Sequence, residues 1–202
     1  QGAFDTATAT VTIIGQNDAP TVGGPLAVTA GEDDAGFGLN LLQGAADVDA
    51  GATLGIANFA VLDGDASGLT LNGTVLEIDP DAYGALADGE SEVVQVAYTV
   101  VDEHGAGVQQ TATVTIEGAN DAPEIENPIV VQATEDDAGF SVDLLEGAVD
   151  AEGGGLTVQN LMLVSGDISG VTVVGDTLAV DPSAYDALPA GLFAEIVYSY
   201  DI

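Results

Sequence analysis

Short stretches of alternating apolar and polar residues run along most of the chain, and glycine, asparagine or aspartate separates them. Clear examples are EVVQVAYTVVD at 92–102 and QQTATVTI at 109–116. Alternation with a period of two predicts β-strands that bury one face, and sequences such as LDGD and LNGT predict tight turns between them. Further strands are predicted for PLAVTA, LGIANFAVL, GLTLNG and TVLEIDP, whereas DLLEGAVD and PSAYDAL are candidates for a helical turn. The pattern therefore predicts an all-β chain.

The same pattern occurs more than once. NDAP at 17–20 recurs at 120–123, a displacement of 103 residues, and EDDAGF at 32–37 recurs with the same displacement. GDASGLTLNGTVLEIDPDAYGAL at 64–86 is matched by GDISGVTVVGDTLAVDPSAYDAL at 166–188, a displacement of 102 residues. Deletion of one residue from a loop explains the change. The chain is therefore a tandem repeat.

These repeats predict three segments. Residues 1–20 correspond to the last strand and linker of a preceding repeat, residues 21–123 to a complete β-sandwich repeat, and residues 124–202 to a second repeat that lacks its final strand. Six to eight strands in roughly 100 residues are typical of the immunoglobulin-like Greek-key sandwich, so the predicted fold is a tandem of such sandwiches. Two origins stay open for the strand predicted at 4–14. The sequence is a window cut from a longer array, or residues 1–16 complete the second repeat of another copy by strand donation.

Acidic residues dominate the charge of the chain. It contains 34 Asp and Glu residues, one His and no Lys or Arg, which gives a formal net charge of -34. Each carboxylate must therefore be hydrated, accept hydrogen bonds, be protonated or bind a cation. Nucleic-acid binding through a basic patch is excluded, and the same charge disfavours contact with an anionic membrane. An acidic spacer adapted to high salt, without specific calcium sites, is one alternative that this composition leaves open.

Four acidic clusters are candidate metal ligands: an Asn-Asp pair in the linker, a Glu-Asp-Asp run, an Asp-x-Asp or Asp-x-Glu triplet, and an Asp-Glu pair before the last strand. Calcium takes six to eight oxygen ligands from carboxylates, Asn side chains and backbone carbonyls. Because a sandwich gathers its loops at two ends, distant clusters can meet there. Each cluster also has a simpler interpretation as a turn or a solvated loop. The predicted calcium ligands are Asn17, Asp18, Glu32, Asp33, Asp47, Asp49, Asp102, Glu103, Asn120, Asp121, Glu135, Asp136, Asp150 and Glu152.

Two stretches resemble a known family. VAYTVVDEHGAGVQQTATVTIEGANDAP is similar to the closing segment of the VCBS repeat, and EDDAGF with DLLEGAVDAEGGGLTV resembles the opening of that repeat and of bacterial cadherin-like domains. Such repeats stand in tandem in large, calcium-dependent surface adhesins of the RTX type. The resemblance implies cadherin-like β-sandwiches, a place outside the cell or on the bacterial surface, and calcium held near domain junctions.

No catalytic constellation stands out in the sequence. The single histidine, His104, lies in a predicted turn, and there is no Trp, no Cys and no apolar run of membrane-spanning length. We therefore expect a non-enzymatic, calcium-rigidified extender of an extracellular adhesin or biofilm-matrix fibre, without membrane insertion. Its expected partners are neighbouring repeats of the same or an identical chain. An adhesion module that binds a glycan or a surface protein is the alternative.

Overall fold

The computed structural model describes residues 2–202, which divide into two compact units. The first unit ends at Ala119 and the second begins at Asn120. The described residues contain β-strands and two short 3-10 helices, Pro80–Tyr83 and Pro182–Tyr185, and no α-helix. Accordingly, none of their helices has the length and apolar character needed to cross a bilayer. The prediction of an all-β chain is confirmed.

Unit 1 is built from two β-sheets. Its strands are β1 (Leu26–Gly31), β2 (Phe37–Asn40), β3 (Gly55–Asp63), β4 (Leu69–Asn72), β5 (Val75–Ile78), β6 (Ser91–Val101) and β7 (Gly107–Glu117). A four-stranded sheet has the order β1-β7-β6-β3, in which β1 runs parallel to β7 and the other pairs are antiparallel. A three-stranded antiparallel sheet has the order β2-β5-β4.

The core of unit 1 lies between these sheets. Alternation along β7 places Ala112, Val114 and Ile116 on the inner face, where all three are fully buried. From the other sheet, Leu76 packs into the same cluster. Burying one such aliphatic side chain contributes about 1.5–3 kcal/mol, so the inward faces account for much of the stability. Unit 1 is therefore a β-sandwich, as predicted.

Unit 2 repeats part of this architecture. Its strands are β8 (Glu124–Ile125), β9 (Phe140–Asp143), β10 (Ala148–Val149), β11 (Gln159–Ser165), β12 (Val171–Val174), β13 (Thr177–Val180) and β14 (Val197–Asp201). They form three sheets with the orders β12-β13-β9, β11-β14 and β10-β8, all antiparallel. The buried core of unit 2 is small, because Leu144 and Pro182 are its buried aliphatic side chains among the described residues.

The strand predicted at 4–14 is not formed. Residues 2–19 are exposed along their whole length and belong to no strand. A single extended segment gains no ladder hydrogen bonds and buries no face, so alternation alone does not make it a strand. The alternating pattern specifies which face of a strand would be buried, whereas the neighbouring strand has to be supplied separately, and residues 2–19 have none within the described part of the chain.

Candidate functional site

A two-residue bridge fixes the linker of unit 1 against a loop of the same unit. The backbone N–H of Thr21 donates to the carbonyl of Ala46 at 2.7 Å, and the N–H of Ala46 donates back to Thr21 at 2.9 Å. Unit 2 has the equivalent pairing between Glu124 and Val149, displaced by 103 residues in both partners. The bridge holds the Asn-Asp pair of each linker beside the acidic triplet of the loop that follows.

The linker pair and the loop carboxylates are then joined directly. The N–H of Asp18 donates to Oδ2 of Asp49 at 2.9 Å, and the N–H of Asp49 donates to Oδ1 of Asp47 at 2.8 Å. Asp18, Asp47 and Asp49 thus lie at one end of the sandwich, where Asn17, Asp102 and Glu103 join them. We call the set the first acidic site; it comprises Asn17, Asp18, Asp47, Asp49, Asp102 and Glu103.

Asp102 is the most enclosed carboxylate of the first acidic site, with 6% of its surface exposed. Its Oδ2 accepts a hydrogen bond from Nδ2 of Asn17 at 2.9 Å, and its Oδ1 accepts from the N–H groups of His104 and Ala106 at 2.8 and 3.0 Å. The Asn17 amide, followed by these backbone donors, holds the pKa of Asp102 below its usual value. The hydrogen bonds therefore keep this carboxylate ionised.

Glu103 is held in a similar way. Its Oε2 accepts a hydrogen bond from the N–H of Thr53 at 2.8 Å, and this contact is the main reason why the pKa of Glu103 is lowered. The Asp-Glu pair is thus fixed as two anions at the turn between β6 and β7. Two adjacent anions without a Lys or Arg partner favour a bound cation on electrostatic grounds.

Asp47 gives the clearest sign of a missing partner in the first acidic site. Its Oδ2 atom is shielded from solvent, and no donor among the described residues reaches it. A buried acceptor without a partner costs about 1–3 kcal/mol, and more when it is charged. A metal ion would remove that cost.

The donor set as a whole fits calcium. The first acidic site contains five carboxylates and one amide, all of them hard oxygen donors, and it contains no sulfur or imidazole. Rotation of the Asn17 amide by 180° exchanges its nitrogen and oxygen, which would turn its oxygen toward Asp102. The residues present therefore match the ligands that calcium prefers.

Unit 2 carries a matching set, the second acidic site: Asn120, Asp121, Asp150 and Glu152. The N–H of Asp121 donates to Oε1 of Glu152 at 2.7 Å, which repeats the contact between Asp18 and Asp49. Asp150 accepts from the N–H of Gly154 at 2.8 Å. The side-chain amide of Asn120 donates to the carbonyl of Asp121 at 2.7 Å. The linker-to-loop contact is therefore a property of the repeat.

The Glu-Asp-Asp run of unit 1 is not part of the first acidic site. Glu32 follows β1, whose last residue pairs with Glu117 at the far end of β7 from Asp102. Its side chain is 1% exposed and accepts hydrogen bonds from the N–H groups of Leu86 at 3.2 Å and Ala119 at 2.6 Å. The adjacent Asp33 is exposed. The structure therefore places Glu32 and Asp33 at the opposite end of unit 1 from the first acidic site.

In each Glu-Asp-Asp run the third acid shapes the turn. Oδ2 of Asp34 accepts from the N–H of Gly31 at 2.9 Å, and Oδ2 of Asp137 accepts from the N–H of Thr134 at 2.7 Å. The Thr134 contacts lower the pKa of Asp137. Glu135 is half-buried and Asp136 is exposed. Sequence reasoning missed this structural role because three consecutive acids cannot be told apart by composition.

Comparisons with known proteins find solved structures that are similar to this chain. No family model matches the chain, and no curated protein matches it. The human desmocollin-1 ectodomain is similar with a TM-score of 0.36 and 16% identity, over 93% of this chain and 36% of that one. Extracellular cadherin domains 3–6 of protocadherin gamma B2 are similar with a TM-score of 0.34 and 14% identity, over 92% of this chain and 47% of that one. The chain thus spans between about a third and a half of the length of these two structures.

Proposed function

We propose that the chain is a non-enzymatic structural repeat of an extracellular, adhesion-type protein, in which calcium binds at the two acidic sites. The observation that carries the proposal is the linker-to-loop contact, made by Asp18 with Asp49 and again by Asp121 with Glu152. A contact that recurs at the start of each unit suits an ion with a structural role at every junction. The chain then acts as an extender whose linkers are stiffened by calcium.

The residues of the first acidic site would have different roles in holding the ion. Asp18 and Asp49 fix the linker to the loop, and Asn17 orients Asp102. Bound calcium supplies a divalent positive charge to carboxylates that otherwise repel one another. With these side chains held together, the linker can no longer swing freely about its bridge at Thr21. Stiffening therefore follows from tying the linker to its own unit.

The energetics favour a role outside the cell. Extracellular calcium modules commonly bind with a Kd of about 10⁻⁴–10⁻³ M, which external calcium saturates and cytosolic calcium does not. An ion that binds the folded state alone stabilises it by about 2.7 kcal/mol at a hundredfold excess over Kd. We infer that the sites are filled after export, and that neighbouring repeats of the same or an identical chain are the main partners.

Thermal unfolding with and without calcium tests the calcium proposal. With excess calcium, the unfolding temperature of unit 1 should rise by about 10 °C or more relative to EDTA, since 1 kcal/mol shifts a domain of this size by about 4–8 °C. The Asp47→Asn variant should lose most of that rise, because it removes the charge from the enclosed, unpartnered carboxylate.

Asp63→Asn is the matched control for the calcium experiment. It removes the same charge from an exposed residue at the end of β3 that lies away from Asp102, so it should keep the full calcium-dependent rise. Equal rises for Asp47→Asn and the wild type, or no rise in the wild type, would contradict the proposed calcium site. Magnesium at the same concentration screens the net charge of -34 to a similar extent. A smaller rise in the unfolding temperature with magnesium than with calcium would therefore indicate specific binding of calcium.

A further inference from the structure

A shallow depression lies on the outer face of the four-stranded sheet in unit 1. Its volume is about 480 Å³, and it crosses β3, β6 and β7 as far as the residue before β1. Three inter-strand spacings of about 4.8 Å make it roughly 14 Å wide. We call it the neutral depression, and the outward side chains that line it are those of Pro25, Asn58, Ala97, Thr99, Gln109 and Thr111.

Small side chains on two neighbouring strands create the depression. Ala97 on β6 faces Ala60 on β3 and Thr111 on β7. Val96 and Tyr98 alternate with this outward face and are buried. The ladder pairs before and after Ala97 on the same face each join a glutamine to a threonine. Because an alanine side chain ends at Cβ, the surface is lower there than at either of these pairs.

A β-bulge in β3 adds a polar side chain to the lining. The register of β3 against β6 shifts between Ala57 and Ala60, and Asn58 between them has a φ of 50°. A positive φ is uncommon for a residue other than glycine, and a bulge changes the direction of the local side chain. Nδ2 of Asn58 donates to Oγ1 of Thr99 at 3.3 Å, so the amide oxygen remains available. The bulge therefore holds a hydrogen-bond acceptor at the neutral depression.

Amides and hydroxyls give the lining both donors and acceptors. Gln109 carries an amide with two donor hydrogens and an acceptor oxygen, and the hydroxyl of Thr111 both donates and accepts. Both residues are exposed, and neither side chain has a hydrogen-bond partner among the described residues. The adjacent Gln110, by contrast, is buried and donates from its amide to the carbonyl of Gly24. Gln109 and Thr111 are therefore free to bond to a ligand.

Charged side chains are absent from this part of the sheet. The chain has 34 Asp and Glu residues, yet residues 93–101 of β6 and 107–116 of β7 contain none. A cationic ligand therefore finds no carboxylate in the lining, and an anionic ligand finds no Lys or Arg anywhere in the chain. The net charge of -34 also repels an anion from a distance. The neutral depression thus favours a ligand that is uncharged.

We propose that the neutral depression binds an uncharged oligosaccharide. Each sugar hydroxyl donates and accepts hydrogen bonds, and so do the amides and hydroxyls of the lining. The volume of about 480 Å³ lies within the range of about 300–1,000 Å³ that is typical of small-molecule sites. A second copy of the chain fits less well, because it would bring a net charge of -34 against an equal charge.

Unit 2 repeats the bulge without the neutral lining. Asn160 has a φ of 51°, as its counterpart Asn58 has 50°. Its amide donates to Oδ2 of Asp201 at 2.8 Å, so a carboxylate stands where unit 1 has the hydroxyl of Thr99. The proposed site therefore belongs to unit 1. The inference goes beyond the calcium-stiffened extender, because it gives this unit a ligand of its own.

A nuclear magnetic resonance titration of the isotope-labelled chain is the first test. It suits weak binding, which we expect because the ring of Tyr98 is buried and offers no face for stacking. The probes are maltohexaose, laminarihexaose, mannohexaose and chitohexaose. At least one should shift the side-chain amide signals of Asn58 and Gln109, and backbone signals of β6 and β7, in a saturable way. No shift with any of the four probes would overturn the proposal, and so would shifts confined to other residues.

Two matched double variants test the hydrogen bonds. Thr99→Ala/Gln109→Ala removes a threonine–glutamine pair inside the neutral depression, and Gln95→Ala/Thr113→Ala removes the same side-chain types from a pair on the same face outside it. Loss of two hydrogen bonds should raise the apparent Kd at least about fivefold for the first variant, against less than about twofold for the second. Equal losses of affinity would contradict the proposal. If the first variant does not fold, the signals shifted in the wild type still decide where the sugar binds.

Ligand charge and self-association are tested in EDTA, so that calcium does not bridge acidic groups. Hexagalacturonate, an anionic probe of similar length, should shift none of these signals, and shifts equal to those of a neutral probe would overturn the assignment of an uncharged ligand. Movement of the same signals with protein concentration, in the absence of sugar, would mean that a second copy occupies the depression and would also overturn it. Sugar binding and calcium-dependent unfolding are separate measurements, so failure of either proposal leaves the other standing.

Discussion

Isoleucine occurs at the same position of the repeat in two environments, which gives an internal control for the energetics of unit 1. Ile116 on β7 is fully buried, and Ile13 in the N-terminal segment is 91% exposed. Replacing a buried Ile by Ala removes its transfer energy and leaves a cavity, at a cost of about 2–5 kcal/mol. Replacing the exposed Ile should change the stability of unit 1 by less than about 0.5 kcal/mol. The same substitution is therefore expected to have very different effects at the two positions.

Thermal unfolding at low protein concentration, together with hydrogen exchange, measures this difference. Ile116→Ala should lower the unfolding temperature of unit 1 by at least about 8 °C, given about 4–8 °C per kcal/mol. It should also speed exchange of the β6 and β7 amides, whereas Ile13→Ala should leave both unchanged. Equal destabilisation by the two variants would refute the reasoning, because it would mean that residues 5–14 already pack on unit 1.

Three further predictions concern polar groups in unit 1. Tyr98→Phe should cost about 1–2 kcal/mol in the free energy of unfolding, because the buried hydroxyl donates to the carbonyl of Leu41 at 3.0 Å; denaturant titration measures the loss. Glu32→Ala should cost about 1–3 kcal/mol, since it leaves the N–H of Ala119 without an acceptor, whereas the N–H of Leu86 also donates to the carbonyl of Tyr83; Glu32→Gln, which keeps an acceptor oxygen, should recover part of it. Asn17→Ala should destabilise unit 1 in EDTA at neutral pH, and the difference from the wild type should vanish on acidification. The pKa of Asp102 is lowered in the fold mainly by Asn17, so that stabilisation exists above the ordinary value of 3.8 and is lost as pH falls through the lower, folded value. Comparing the two proteins at each pH cancels the general relief of repulsion as the other carboxylates protonate, and a difference that does not shrink as the pH falls below 3.8 would refute the assignment.

The strands of unit 1 could be predicted from alternation and the repeat, and the exceptions have local reasons. The predicted strand QQTATVTI lies within β7, and PLAVTA overlaps β1. The strand β2 was missed, since Gly38 interrupts FGLN and glycine is depleted in strands; its pairing with β5 defines it.

The acidic sites could be predicted only in part. The alignment of repeats correctly pairs each linker with the triplet that follows, but it says nothing about strand direction. Because β1 is parallel to β7, the residue after β1 lies with the end of β7, whereas Asp102 lies at its start. The hydrogen bond between Asn17 and Asp102 joins positions 85 residues apart, a contact that only the closed sandwich creates. Sequence gives the ligand types, and the topology decides which of them meet.

The hexapeptide TATVTI shows what decides strand formation in this chain. At 111–116 it is a buried strand with neighbours on both sides, and at 8–13 it is exposed and unpaired, although the six residues are the same. Intrinsic β-propensity is equal in the two places, so the difference lies in the availability of neighbouring strands. The carboxylates are distributed differently, because they are concentrated in loops and linkers and this hexapeptide contains none. The face of this hexapeptide that carries Ala112, Val114 and Ile116 can therefore be buried in a chain of net charge -34 without burying a carboxylate.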